Sequence, residues 1–135
     1  MATWSDVRRI ALALPGTSEI ESHGRPAWTV NKKFFVWDRP LRRSDLAALR
    51  DEAPDGPILG VYTGDLELKD VLLASDPDAF FTTPHFDGYP AALLQLKKIT
   101  AKKLKEIVVE AWLARAPKRS AEQYLAGAAR ARKNR

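Results

Sequence analysis

Ala27-Trp28-Thr29-Val30-Asn31-Lys32-Lys33-Phe34-Phe35-Val36-Trp37 is the stretch of sequence that decides the fold. Two runs rich in β-branched and aromatic residues lie on either side of a short polar break, a pattern typical of a β-hairpin. A further strand signal, from Thr17 to Ser22, precedes it and is separated from it by the turn-like pair His23-Gly24. Together these segments predict an antiparallel meander whose hairpin tip is basic.

Helical patterns flank this meander toward both ends of the chain. Apolar residues recur every three or four positions through residues 4–14, with Thr3 as a candidate N-cap and Pro15-Gly16 as a stop. A second apolar stripe begins at the N-cap candidate Thr100 and ends at Pro117. These two patterns predict one helix before the meander and one near the end of the domain.

The middle of the chain carries shorter signals. We predict strands at 58–63, 80–83 and 92–96, and a short helix at 41–52 with Leu46 and Leu49 facing inward. Residues 66–74 fit either a helical turn or a strand followed by a turn. The sequence therefore predicts an α+β fold in which an antiparallel sheet packs against N- and C-terminal helices.

The composition of this 135-residue, 15.1 kDa chain is that of one globular domain, with 45% apolar and 29% charged residues. This balance excludes an intrinsically disordered protein, and the lack of cysteine excludes disulfides, thiol catalysis and cysteine-based zinc sites. We expect a single domain over residues 1–118 and a basic helical extension over 119–135. Because the apolar runs are far shorter than the ~20 residues of a membrane span, we expect no membrane segment and a cytoplasmic location.

Charge is distributed unevenly along the chain. Residues 1–96 carry ten basic and fourteen acidic side chains, a balance of −4, whereas residues 97–135 carry twelve basic and three acidic ones, a balance of +9. The basic residues of the second part cluster at 97–105 and at 130–135. This asymmetry is typical of a protein that contacts a polyanion, although lysines also fill ordinary solvated faces and a basic tail aids solubility.

The charge pattern leads to a nucleic-acid interpretation. Lysine and arginine hold phosphates without base contacts, and a helix N-terminus at Thr100 adds backbone N–H donors. We therefore expect a non-enzymatic protein that holds nucleic acid through its phosphates, with little sequence specificity, on a single basic surface formed by Arg25, Lys32, Lys33, Lys97, Lys98, Lys102 and Lys103. The alternative is a domain that binds a protein or a small ligand and has no nucleic-acid role.

That alternative places a ligand pocket around Trp28, His85 and Tyr89, although Trp28 is also a candidate for the core. The two histidines, His23 and His85, lie 62 positions apart, so only the fold can bring them together. No third metal ligand accompanies His85 and Asp87, and the chain has neither a glycine-rich phosphate loop nor a G-x-S-x-G motif. We therefore expect no metal, no cofactor and no catalytic residue.

Several motifs, taken together, resemble the MmcQ/YjbR-like family. They are the run Ala13-Leu14-Pro15-Gly16-Thr17-Ser18-Glu19, then His23-Gly24-Arg25-Pro26-Ala27-Trp28-Thr29-Val30, then Lys33-Phe34-Phe35. Pro84-His85-Phe86 is similar to the family's proline–aromatic loop, and residues 92–96 followed by a lysine-rich helix are similar to its end. The resemblance covers residues 3–116.

The resemblance implies a CyaY/frataxin-like fold, with helices on one side of an antiparallel sheet, and the DNA-binding role with which members are commonly labelled. This chain departs from the family at Tyr89-Pro90-Ala91-Ala92, which lacks the usual tryptophan, and in the extension over 120–135. The frataxin likeness would also imply iron, which needs an acidic ridge on the first helix. The first helix instead has Asp6 beside Arg8 and Arg9, so iron binding is not expected.

Overall fold

The predicted meander and its flanking helices are present in the computed structural model, which describes residues 1–133. Both predicted helix starts are capped as expected: Thr3 forms a capping box with Asp6, and the Thr100 hydroxyl accepts a hydrogen bond from the Lys103 amide at 3.1 Å. The elements are α1 (Trp4–Leu12), β1 (Thr17–Ser22), β2 (Arg25–Val30), β3 (Lys33–Asp38), α2 (Arg43–Leu49), β4 (Ile58–Tyr62), α3 (Leu66–Ser75), β5 (Phe80–Phe81), β6 (Ala91–Gln95), α4 (Ala101–Arg115) and α5 (Lys118–Lys133).

The strands form one antiparallel sheet in the order β1-β2-β3-β4-β6-β5. Asn31 and Lys32 make a two-residue turn between β2 and β3, both with positive φ, as tight hairpins require. The sheet end that holds this turn is called the Lys32 end, and it also holds the start of β6. The opposite end, where β2 and β4 begin and β3 and β6 finish, is called the Arg25 end.

A β-bulge decides which side chains of β3 face which way. Trp28 pairs with Val36, but Thr29 pairs with Phe34, so Phe35 is an extra residue on β3. Phe35 and Val36 are both fully buried on the side covered by helices. Phe34 and Trp37 therefore share the other face of the sheet although they are three positions apart.

The main core lies between the sheet and helices α1 and α4. Trp28 stacks on Trp4 with ring centroids 6.3 Å apart, and its indole N–H donates to Glu19 at 2.9 Å. Arg8 forms a bidentate pair with the same carboxylate, at 2.8 Å for each bond. That hydrogen bond from Arg8 is the largest cause of the lowered pKa of Glu19. The α+β prediction of a sheet packed against terminal helices is confirmed.

The second face of the sheet is covered over only part of its width. A smaller apolar cluster of Ile58, Phe86, Ala91 and Leu93 lies over β4 and β6, beneath α2 and a 3₁₀ turn at Pro84–Phe86. No helix lies over β1, β2 and β3 on this side in the described part of the chain. This uncovered half of the sheet, called the open face, is where the candidate site lies.

Several local expectations change in the structure. Residues 66–75 are a helix, begun by the Asp65 side chain accepting from the Leu68 amide at 2.7 Å, which resolves the ambiguity of that segment. Leu46, expected to face inward, is 49% exposed because α2 turns its Asp45 side toward the protein instead. Helix α5 contacts the body through Tyr124, whose ring meets Trp112 at 5.2 Å. Residues 134 and 135 of the expected extension lie outside the described residues.

Candidate functional site

A cavity of about 660 Å³ lies on the open face, toward the Arg25 end. Its floor comes from β2 and β3, one wall from the β1–β2 turn and the other wall from the loop after β5. This volume falls within the ~300–1,000 Å³ of ordinary small-molecule sites. The lining residues are mainly aromatic or basic: Phe34, Trp37, Phe86, Tyr89, His23, His85, Arg25, Arg39 and Arg42, with Asp38 as the acidic member.

Trp37 forms the floor of the cavity because Gly60 on the neighbouring strand makes room for its ring. A Cβ atom built on Gly60 would lie 2.3 Å from Trp37 Cε2 and 2.6 Å from Cζ2 and Nε1, so the indole lies flat over the glycine. Phe34 lies beside it with ring centroids 6.2 Å apart at 45°. The two rings give the cavity an aromatic floor suited to a flat apolar group.

The wall made by residues 84–90 is held in place by a buried lysine. Lys69 of α3 is 5% exposed, and its ammonium donates to the carbonyl oxygens of Phe86 at 2.6 Å and Tyr89 at 2.9 Å. Burial lowers the pKa of Lys69, while the negative charges of Asp87 and Asp70 oppose that shift. The lysine therefore fixes the loop that carries His85 and Tyr89.

A second tie reaches the same wall from the other side of the sheet. Arg115, at the end of α4, donates through Nε to the Phe34 carbonyl at 3.0 Å and through Nη2 to the Tyr89 hydroxyl at 3.3 Å. Its guanidinium also lies 3.5 Å from the ring centroid of Tyr62. One arginine thus joins helix α4, the floor strand and the wall of the cavity.

The fold brings the two histidines to the same cavity, His23 in the β1–β2 turn and His85 in the opposite wall. Both side chains are exposed. His85 lies edge-on to Phe86 at 5.0 Å. Within residues 1–131, neither imidazole makes a side-chain hydrogen bond or an ion pair, so no histidine–carboxylate pair of the kind used in general-base catalysis is formed.

Three arginines border the cavity and differ in how closely their guanidinium groups are paired with carboxylates. Arg39 is buried and its Nη2 lies 3.0 Å from the carboxylate of Asp45, so its charge is already matched. Arg25 is exposed, with Nη1 3.5 Å from Asp38. Burial raises the pKa of Asp38, an effect that the positive charge of Arg25 opposes. Arg42 is exposed and, although its backbone amide donates to Asp45, its guanidinium forms no ion pair within the described residues.

The structure divides the seven basic residues expected to bind nucleic acid. Arg25 and the four lysines at 97, 98, 102 and 103 lie toward the Arg25 end, after β6 or in the first turn of α4. Lys32 and Lys33 lie at the Lys32 end, close to where Arg115 meets the Phe34 carbonyl. The helical rise from Lys103 to Arg115 alone is about 18 Å. The expected single basic platform is therefore split between two ends of the sheet.

Carboxylates also lie among the lysines of the Arg25 end. Lys97 is paired with Asp55, and this hydrogen bond lowers the pKa of the Asp55 carboxyl. Lys103 lies 3.4 Å from Glu106. Lys98 and Lys102 are exposed and have no such partner within the described part of the chain. The free positive charge at this end is thus smaller than the count of lysines indicates.

Of the three residues expected to form a ligand pocket, His85 and Tyr89 line the cavity, where Tyr89 is 43% exposed. Trp28 does not: it is 1% exposed and lies on the opposite face of the sheet, under α1. Strand pairing explains this correction, because Trp28 pairs with Val36 and both face the helices, whereas Trp37, the next residue along β3, faces the cavity.

Sequence reasoning missed the floor and part of the rim, namely Phe34, Trp37, Asp38 and Arg42. One signal was present: Gly60 interrupts an otherwise apolar strand, and an isolated glycine there indicates close approach of another group. Which group approaches is decided by strand pairing, since Trp37 lies opposite Gly60 in the register. Among the described residues, no three histidine or acidic side chains come together as a metal site, and no helix is long and apolar enough to span a bilayer.

Comparison with known proteins gives a family match, two similar relatives and a similar solved structure. The YjbR family model matches residues 12–114. Over 129 residues the chain is 47% identical to the uncharacterized proteins Rv2570 of Mycobacterium tuberculosis and Mb2600 of Mycobacterium bovis, covering 93% of this chain and 98% of each relative. The crystal structure of Deinococcus radiodurans protein DR2400, of the DUF419 domain family, superposes with a TM-score of 0.62 at 18% identity, over 84% of this chain and 78% of that one. The last comparison concerns the fold alone.

Proposed function

This chain belongs to the YjbR family, and from that premise and the open face of its sheet we propose that it is a non-enzymatic protein that binds nucleic acid with little sequence specificity. The observation that carries the proposal is the cavity region itself. Arginines and both histidines surround an aromatic floor on the open face, which no helix of residues 1–133 covers. Basic side chains hold the phosphates of a nucleic acid, and aromatic rings stack on its bases.

The positive charge favours one end of the sheet as the contact surface. Arg25, Arg42 and Arg43 are exposed there, and Lys98 lies at the same end of the sheet, in the turn that follows β6 and three strands away from β2. Neighbouring strands are ~4.8 Å apart, so the charges at the starts and ends of β2, β3 and β6 spread over roughly 15 Å. That distance is enough to meet several consecutive phosphates, which lie ~3.4 Å apart along the axis of each duplex strand.

The same surface supports binding rather than catalysis. His23 and His85 are exposed and lack a hydrogen-bonded carboxylate among the described residues. Asp38, the acid that lines the cavity, faces Arg25 at 3.5 Å and makes no hydrogen bond to either histidine in the described residues. The buried Asp45 is held by Arg39 and by the Arg42 amide at 2.8 Å, so its carboxylate is part of the structure of the wall.

The test is fluorescence anisotropy with short labelled single-stranded and duplex DNA at increasing salt. We expect binding at low salt that weakens as salt rises, because counterions are released from the phosphates. The double substitution Arg25→Ala with Arg42→Ala should lower the log–log slope by about 1.4 on a single strand and 1.8 on a duplex, for two lost contacts.

The matched control removes the same charge at the other end of the sheet, by Lys32→Ala with Lys33→Ala. These side chains are exposed, so folding should be unaffected. The control should keep nearly all of the affinity and slope. No binding at low salt, binding that ignores salt, or an equal loss in the control pair would each contradict the proposal.

A small anionic ligand with a ring is the second candidate, favoured by the size of the cavity. It would use the aromatic floor and Arg42 without the exposed lysines. Substituting Lys98 and Lys102 distinguishes the two candidates. A nucleic-acid protein loses affinity for DNA when these phosphate contacts are removed, whereas a small ligand in the cavity binds as before.

A further inference from the structure

We propose that the cavity on the open face holds one unstacked base of a bound strand, with the adjoining phosphate at its arginine rim. The inference rests on the proposed function and makes it more specific. It assigns the cavity a nucleotide as its occupant and predicts that single strands bind more tightly than paired ones.

The floor presents an aromatic surface that is only partly occupied by the protein. One face of the Trp37 indole lies on Gly60, and the ring is half-buried, so its remaining surface borders the cavity. Phe34 extends this surface, tilted by 45°. Ala27 also lines the cavity, and because its side chain is only a methyl group it takes up little of the cavity's volume. Bases stack on such rings whatever their identity, because each base has a π-face.

The walls carry polar groups that are free to contact a base edge. His23 stands on one side and His85 on the other, neither with a side-chain hydrogen bond in the described structure. The Tyr89 ring is 43% exposed, while its hydroxyl is tied to Arg115. A wall fixed by Lys69 and Arg115 means that the opening is already formed, so little ordering is needed when a base enters.

The placement of charge separates a base site from a bare phosphate site. Inside the cavity, Asp38 lies beside Arg25, and a phosphate pushed to this depth would meet its carboxylate. The guanidinium of the exposed Arg42 forms no ion pair in the described residues, and it stands at the rim. The uncharged base of a nucleotide therefore fits inside the cavity, and its phosphate fits at the rim beside Arg42.

The experiment compares three probes of equal length on the full chain: an oligo-dA strand, a strand of abasic sites with the same phosphates, and a duplex. We expect the oligo-dA strand to bind about ten- to a hundredfold tighter than the abasic strand, the range that stacking on one aromatic residue provides. The duplex, whose bases are paired, should resemble the abasic strand. Quenching of tryptophan emission should accompany binding of oligo-dA alone.

A variant then locates the effect. Trp37→Ala should remove the advantage of the oligo-dA strand and its quenching while leaving affinity for the abasic strand unchanged. Far-UV circular dichroism checks that the variant is folded. If Trp37→Ala is unfolded, Tyr89→Ala is used instead, at an exposed position of the wall. This second variant should reduce the preference for oligo-dA over the abasic strand.

The outcomes separate this inference from the proposed function. If oligo-dA and abasic strands bind equally well and with the same salt dependence, the protein binds nucleic acid but the base site is wrong. If no oligonucleotide binds at low salt, the proposed function is wrong, and the base site, which rests on it, is overturned with it.

Discussion

Gly60→Ala is the substitution that tests the construction of the cavity floor. A methyl group at this position would lie 2.3 Å from Trp37 Cε2, whereas ordinary carbon–carbon contacts are at ~3.5 Å or more. The indole would have to rise by about 1 Å, into a space bordered by Phe34. Overpacking of this kind costs about 1–3 kcal/mol, offset by the ~0.5–1 kcal/mol that alanine gains over glycine in a strand. We expect a net loss of about 1–2 kcal/mol.

The assay is urea unfolding followed by circular dichroism, arranged as a double-mutant cycle with Trp37→Ala. When the indole is absent, the added methyl group at position 60 meets no ring, so Gly60→Ala should then be neutral or slightly stabilising. The coupling energy between the two sites should be about 1–3 kcal/mol. Gly127→Ala is the control, because outside the adjacent residues and nearby backbone of its own helix, no atom of the described structure lies within 4 Å of the Cβ it would add. An equal cost of Gly60→Ala with and without Trp37 would refute the reasoning.

Three further predictions concern the ties around the cavity. Lys69→Met leaves two backbone carbonyl oxygens without their donor, so it should destabilise the protein by about 2–4 kcal/mol and speed amide exchange in residues 84–90; unchanged exchange there would argue against this role. Arg115→Lys keeps the charge but loses the planar contact with Tyr62, and urea unfolding should show a loss of about 1–2 kcal/mol. Asp45→Asn leaves Arg39 buried without a counter-charge and should cost about 3–5 kcal/mol at neutral pH. Burial opposes ionisation of Asp45, but the hydrogen bond from the Arg42 amide and the nearby Arg39 guanidinium hold its pKa below the usual 3.8. The stability that ionised Asp45 gives the folded protein is therefore fully present above pH 3.8 and is lost as the pH falls through the folded-state pKa. Unfolding at pH 6, 4 and 3 should therefore show a shallower loss in the variant than in the wild type.

Much of the fold follows from local sequence. Strand-forming residues around the polar break Asn31-Lys32-Lys33 predict the β2–β3 hairpin, and the structure shortens the turn to two residues, because Lys33 pairs with Val30 as the first residue of β3. Caps at Thr3 and Thr100 set the starts of α1 and α4. These features depend on residues a few positions apart, whose hydrogen bonds and backbone preferences act within one turn. They can therefore be read without knowing how the chain packs.

The candidate site was only partly accessible to the same reasoning. His85 and Tyr89 line the cavity, but Trp28 lies in the main core and Trp37 on the cavity floor, because strand pairing rather than residue type decides which tryptophan faces which side of the sheet. Six of the seven basic residues are exposed and Lys97 is half-buried, and their division between two ends of the sheet depends on the direction in which α4 crosses it. The positions of charged residues along a sequence do not show in which direction a helix crosses the sheet.

The sequence by itself determined the α+β class, the order of the main elements and the family resemblance, since each depends on short-range patterns or on a run of motifs. Tertiary structure alone decided that His23 meets His85 across one cavity, that Gly60 lies under Trp37 and that Lys69 holds a loop about twenty positions away. Contacts of this kind arise from strand pairing and helix placement, which minimise exposed apolar surface over the whole chain at once. No local pattern contains that information, because the residues involved are neighbours only after folding.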